Sequence, residues 1–214
     1  PEFREIRSKN PDFIKLCLNS DLSSEITLQP INRFNLDAAI IFSDILMVPY
    51  GLGQEVKFIK GKGPKLSEFN LKNFINNNRE DFTKKLSPVY EAIKKTRKKL
   101  SKEKSLISFI GAPWTLIVYM MGLRQDKKNL NLKKINNSEF DKDLILNKLN
   151  EFLSIHIENQ LESGADVVQI FDSWAGLIPE EEIESYCYNP NSRLVEYCKK
   201  IEMPVICFPK GIGK

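Results

Sequence analysis

The sequence predicts an α/β chain in which parallel strands alternate with helices, and three observations carry that reading. Four short runs, 38–42 (AAIIF), 106–110 (LISFI), 167–171 (VVQIF) and 205–208 (VICF), are mostly β-branched or aromatic and apolar on both faces, the pattern of strands covered on both sides. Longer amphipathic stretches separate them. Polar and turn-forming residues collect just beyond each run: Ser43 and Asp44, then Gly111 to Trp114, then Asp172 to Trp174, then Pro209 to Gly211. The C-terminal ends of successive parallel strands are where open α/β sheets and (β/α)8 barrels build their sites. No GxGxxG or GxxxxGK[ST] follows any run, so a nucleotide-binding sheet lacks its main signal and a (β/α)8 TIM barrel is expected.

Among the intervening stretches the clearest helix spans 141–163. Ile145, Leu149, Phe152, Ile157 and Leu161 recur there at near-helical spacing, ahead of Gly164 in the position of a C-terminal cap. Stretches 81–100 and 179–201 read likewise, the second with Pro179 near its start and three glutamates in its first turn. The Lys- and Asn-rich segment 124–137 reads as a surface excursion. With no repeat and no linker, 1–214 reads as a single domain. Four β/α units cannot close an eight-stranded barrel. The chain also starts without Met and stops at GIGK directly after a strand. An incomplete barrel, about half of one and cut at both ends, is therefore expected.

A 214-residue chain that is 42% hydrophobic can bury one sizeable core. No apolar run approaches the about 18 residues of a membrane span, and the N-terminus lacks a signal peptide's apolar core. The four cysteines show no CxxC spacing, which suits a reducing compartment, so a cytoplasmic protein is expected. Net charge is a modest +4, and the lysine clusters at 94–104 and 127–134 carry no interleaved aromatics, against a nucleic-acid surface. No membrane partner is expected either. His156, the sole histidine, falls mid-helix and reads as structural. No metal-binding motif is present, so no metal is expected.

Asp44 is the candidate catalytic residue. Residues two apart share a strand face, so Ile40, Phe42 and Asp44 point together, with the carboxylate at the rim above apolar layers. A helix-capping role is the competing reading. The residues that follow, Ile45 to Pro49, are apolar, and a carboxylate in such surroundings must be paired or functional. Tyr119, four residues beyond Thr115 on one helical face, is either a core aromatic or a hydroxyl sent into a shared cavity. Phe171 and Ser173 share a face opposite Asp172, which suits a ligand pocket and equally an ordinary strand end.

The stretches EITLQPINRFNLDAAIIFSDILMVPYGLG (25–53), FIGAPWTLIVYM (109–120) and VVQIFDSWAGLIP (167–179) closely resemble the uroporphyrinogen decarboxylase family. PEFREIR (1–7) and PVICFPKGIG (204–213) fit the same family in the same order; segment 124–137 is least like it. The resemblance implies a (β/α)8 barrel, homodimeric at full length, that removes four acetate carboxyl groups from uroporphyrinogen III without metal or cofactor. The product would be coproporphyrinogen III, in haem and porphyrin biosynthesis. It further implies that Asp44 is the carboxylate accepting hydrogen bonds from the central pyrrole N–H groups. Tyr119 and Ser173 correspond to substrate-binding positions, Phe171 packs nearby, and Arg7 aligns with a binding arginine. The family's arginine-bearing segment falls before Pro1 and its rim histidine beyond Lys214. Two alternatives stand beside this reading. One is a corrinoid or thiol methyltransferase of the same fold, whose zinc-binding His-x-Cys would fall near the fourth strand, where this chain reads Cys207-Phe208-Pro209. The other is a non-catalytic tetrapyrrole-binding module.

Overall fold

Short polar residues start the N-terminal helices, which the hydrophobic pattern alone did not reveal. In the computed structural model, which describes residues 2–59, 61–126, 129–135 and 141–212, α1 (Glu2–Lys9), α2 (Phe13–Cys17) and α3 (Ser20–Phe34) precede the first strand. Asp12 and Asn19 accept hydrogen bonds from the N–H groups of Lys15 and Leu22, each satisfying a donor that a helix start leaves open. Asn35, in the left-handed region at φ 47°, ends α3.

Then follow β1 (Ala38–Ile40), α4 (Met47–Gly51), β2 (Val56–Ile59), β3 (Gly63–Leu66), α5 (Leu71–Ile75), α6 (Arg79–Lys99), β4 (Ser105–Gly111) and α7 (Pro113–Met120). The remainder is α8 (Lys142–Glu162), β5 (Val167–Asp172), α9 (Asn189–Lys200) and β6 (Val205–Pro209). The four expected strands form one parallel sheet in the order β1-β4-β5-β6. Ile40 pairs with Ile107, Ile107 with Val167, and Phe171 with Phe208. Consecutive strands lying side by side with helical crossovers are the (β/α) pattern that the sequence predicted. β2 and β3 form a separate antiparallel hairpin, which the sequence reading did not foresee.

The two sheet faces differ. On the helix side Leu106, Ile110, Val168 and Ile170 are fully buried. α8 packs on β4, α9 on β6, and α3 on β1. On the opposite face Ile40, Ile206 and Phe208 remain 55%, 47% and 50% exposed, while Phe109 and Phe171 meet edge to face at 5.7 Å. That face is the one expected to line a barrel interior. The strands are thus apolar on both faces, as the sequence predicts, with helices covering one face and Ile40, Ile206 and Phe208 exposed on the other.

Three boundaries also moved. β1 ends at Ile40, two residues before the predicted limit, although the Ile41 N–H still bonds the Ile107 carbonyl at 3.0 Å. The helix expected over 179–201 is broken into a 3-10 turn (Glu180–Glu182), a π turn (Glu184–Tyr188) and α9. Pro190 is the reason: it has no N–H to return to the preceding turn, and its ring crowds that turn's carbonyl, so the backbone widens ahead of it. Within segment 124–137, Arg124 to Asp126 and Asn129 to Ile135 are described. Ile135 is buried and Asn131 bonds back to the Leu123 carbonyl at 2.7 Å, so this part is anchored; residues 127, 128, 136 and 137 lie outside the described residues. The terminal Gly213 and Lys214, read as an abrupt end, also lie outside them.

His156 is buried on α8 and shares a 2.9 Å hydrogen bond between its Nδ1 and the Tyr90 hydroxyl. Burial lowers its pKa to about 3, so it is neutral at physiological pH, and its geometry is that of a core residue.

Candidate active site at the C-terminal edge of the sheet

Beyond β1 the chain leaves the sheet abruptly. The Phe42 N–H donates to Thr27 Oγ1 at 2.8 Å, which ties the strand end to α3. Two residues later the Asp44 carboxylate accepts the Leu46 N–H at 2.8 Å and the Asp44 carbonyl accepts the Met47 N–H at 3.1 Å. Asp44 thus closes the turn ahead of α4, whose N-cap is Leu46, so the helix-capping role weighed against a catalytic one is not the one it takes. The turn uses only part of its capacity, since an ionised carboxylate offers about four acceptor positions. Burial raises its pKa, and the Leu46 N–H pulls it back only in part.

The surroundings of Asp44 are apolar and aromatic. Phe42 meets Phe3 tilted at 5.6 Å and Phe13 edge-on at 5.8 Å. Arg7 lies over the Phe13 ring at 5.5 Å and donates to the Asn10 carbonyl. Below them the buried Cys17 thiol is pushed up by burial and by the negative charge of Asp44, while Arg7 pulls it down. Asp44 and Arg7 thus act on Cys17 in opposite directions. Cys17 was not singled out from the sequence; an isolated cysteine ahead of a helix cap carries no signal there.

A second cluster gathers where β4 and β5 end. Tyr119, half-buried on α7, meets the Trp174 ring edge-on at 6.1 Å. Trp174 is held at both ends of its peptide: its N–H donates to Thr115 Oγ1 at 3.2 Å, and its carbonyl accepts Trp114 Nε1 at 3.0 Å. Ser173, just before it, is exposed beyond the sheet edge, and Phe171 reaches the open face. Asp172 points the other way, as its alternation with Phe171 and Ser173 predicts, into the helix layer. Fully buried, it accepts Thr115 Oγ1 at 2.8 Å and Asn191 Nδ2 at 3.1 Å. The structure thus brings Tyr119 against Trp174, next to Ser173 in the chain, while Arg7 contacts Phe13 and Asn10 and makes no contact with Asp44. Asp172 and Trp174 organise the second cluster but were not chosen from the sequence, because their partners lie tens of residues away.

Among the described residues no group of three or more His, Cys, Asp or Glu side chains is placed to hold a metal ion. Among them, too, no helix is long and apolar enough to cross a membrane.

Comparison with known proteins fits this architecture. The family model for uroporphyrinogen decarboxylase (URO-D) matches residues 1–214. A uroporphyrinogen decarboxylase of Rickettsia bellii is 41% identical over 217 aligned positions, covering 99% of this chain and 63% of its own length. Those of Orientia tsutsugamushi and Brucella anthropi are 43% and 41% identical, each covering 100% of this chain and 63% of theirs. The chain thus spans somewhat under two thirds of these relatives. A solved methyltransferase from Methanosarcina mazei superposes with a TM-score of 0.69 at 18% identity, over 89% of this chain and 56% of that one, a likeness of fold. With the parallel (β/α) order already described, these matches establish that the chain belongs to the uroporphyrinogen decarboxylase family.

Proposed function

We propose that this chain carries the Asp44-bearing part of an enzyme that decarboxylates the four acetate side chains of uroporphyrinogen III to give coproporphyrinogen III. One observation supports it most: a partly desolvated carboxylate at the end of β1, holding a single backbone N–H, in a chain of this family. A bowl of pyrrole N–H groups would complete what the protein leaves open on Asp44.

The chemistry runs in balanced steps. A proton adds to a pyrrole carbon, so positive charge spreads onto the ring and its N–H. The bond between the acetate CH2 and its carboxylate then breaks, CO2 leaves, and the electron pair neutralises the ring as an exocyclic methylene. A second proton on that methylene gives the methyl group, and the proton first added leaves the ring carbon, which restores the neutral pyrrole. Asp44 beneath the N–H stabilises the cation more than the neutral ring, which is the condition for rate acceleration. The pyrrole itself is the electron sink, so the proposed step calls on no metal or cofactor.

Tyr119, Ser173 and Arg7 are assigned to polar groups at the substrate's edge, and Phe171 to packing against its flat face. Residues 1–214 are assigned to one incomplete barrel domain. A homodimer in the cytoplasm completes the proposal. The test is decarboxylation by the whole protein with Asp44→Asn. Turnover is expected to collapse while the fold persists; near-normal methyl formation by that variant would remove the assignment.

A further inference from the structure

A second feature lies beside the candidate site rather than in it. Between the β2–β3 hairpin and the end of α7 a cleft of about 600 Å³ opens, with Tyr119 in its wall. Lys62, Lys65, Arg124 and Lys134 line it against one carboxylate, Glu68. The hairpin brings two of these cations and the segment after α7 brings the other two. Lys134 Nζ is committed to the carbonyls of Met121 and Gly122 at 3.2 and 3.1 Å, where it braces the end of α7.

Arg124 is different. Its guanidinium lies over the Trp174 ring at 5.5 Å, and among the described residues it has no carboxylate partner. Stacking holds the planar group in place while leaving its N–H edge able to meet a carboxylate in bidentate fashion. Gly63, at φ +84°, turns the hairpin so that its Cα passes close to this group; a Cβ there would stand 3.8 Å from Arg124 Nη1. A cavity this size is comparable with the ~8 Å over which salt screens charge, so the excess of cations acts together on whatever enters.

We infer that the Lys62–Lys65–Arg124 cleft is an anionic subsite that takes the carboxylate side chains on one edge of the tetrapyrrole. This deepens the proposed function and rests on it. A macrocycle with acid groups all round its rim, centred over Asp44, would carry some of them past Tyr119 and Trp174. Arg124 is the principal contact, Lys65 and Lys62 contribute field, and Tyr119 is the wall shared between centre and rim.

The test is equilibrium binding of uroporphyrin, the stable octacarboxylate, to the whole protein, followed by fluorescence at several salt concentrations. Arg124→Gln and Lys65→Gln are compared with Lys98→Gln, an exposed position on α6 outside the cleft. Arg124→Gln should weaken binding by about tenfold, the worth of a charge-assisted contact. Lys65→Gln should weaken it less, and both should flatten the salt dependence, with Lys98→Gln unchanged. Unchanged melting temperatures would show that folding is not the cause. If Asp44→Asn or Tyr119→Phe alters binding but Arg124→Gln and Lys65→Gln match Lys98→Gln, the subsite is refuted and the proposed function stands. If the unaltered protein does not bind uroporphyrin at all, the functional reading itself falls, and the subsite with it. Equal weakening by Lys98→Gln would mean a diffuse field rather than a site, and would also refute it.

Discussion

Asp44 and Asp172 both stand at the C-terminal ends of parallel strands, and burial raises the pKa of each. Their company differs. Asp172 is fully enclosed, with Thr115 and Asn191 donating to it and Cys187 close by, and through Thr115 it holds the Trp174 peptide. Asp44 is half-exposed and receives one backbone N–H. Desolvation thus acts on two similar groups with opposite outcomes. Where side-chain donors from α7 and α9 replace water, the carboxylate becomes a bracket between layers. Where they do not, it keeps unfilled acceptor capacity at the mouth of the sheet, the condition under which a ligand's N–H groups gain most.

The largest effect expected from that contrast is on catalysis. Asp44→Asn should cut decarboxylation by about 10²- to 10³-fold, equivalent to ~3–4 kcal/mol for one preorganised electrostatic partner. Asp172→Asn should leave turnover per folded molecule far closer to normal. Steady-state assays of both variants at matched folded fraction decide it, and a reversed order would break the comparison.

Next in size is stability. Asp172→Ala strands the Thr115 hydroxyl and the Asn191 amide in the interior, so denaturant titration should register a loss of about 2–4 kcal/mol. Asp44→Ala gives up one turn-capping bond and should cost about 0.5–2 kcal/mol. The proposed substrate contacts come after that: if they hold, Tyr119→Phe and Ser173→Ala should each weaken uroporphyrin binding by about 0.5–1.5 kcal/mol, read as a change in Kd without change in melting temperature.

The smallest effect is in pH dependence. Both aspartates have folded pKa values above 3.8, the value expected in the unfolded chain. Between 3.8 and those raised values the native state holds more protons, so their contribution to stability grows as pH falls and is lost as pH rises through the folded pKa. His156 runs the other way: with a folded pKa of about 3 against 6.5, it withdraws stability as pH falls below 6.5. Asp44→Asn should therefore remove part of the acid-side gain and leave the His156 loss more visible. Denaturation midpoints of the two proteins between pH 4 and 7 measure the difference; parallel curves would mean that Asp44 titrates as in the unfolded chain.

Much of this arrangement was legible beforehand. The four strands, their parallel order and α8 followed from local periodicity, because buried strands and amphipathic helices leave their period in the chain itself. Asp44 stood out by the apolar residues around it. The N-terminal helices were hidden because α1 buries no residue, α2 is five residues long, and α3 carries Pro30 inside it. The Gly-rich turn of the hairpin, with Gly61 and Gly63 both at positive φ, was a signal passed over. The break before α9 was foreseeable from Pro190, but its π turn was not.

The sequence by itself determined the four strands of the parallel sheet, the long helices between them, where the sheet's C-terminal edge falls, and the family. Tertiary structure decided what each polar residue at that edge does. Thr115 and Asp172 are 57 residues apart, so no local period could join them. Arg124 reaches Trp174, and Lys65 faces Arg124's cleft, only because the hairpin folds toward the end of α7. Periodicity is a property of neighbours along the chain, whereas a carboxylate's role follows from the donors around it in space, and those arrive only with the packing of the layers.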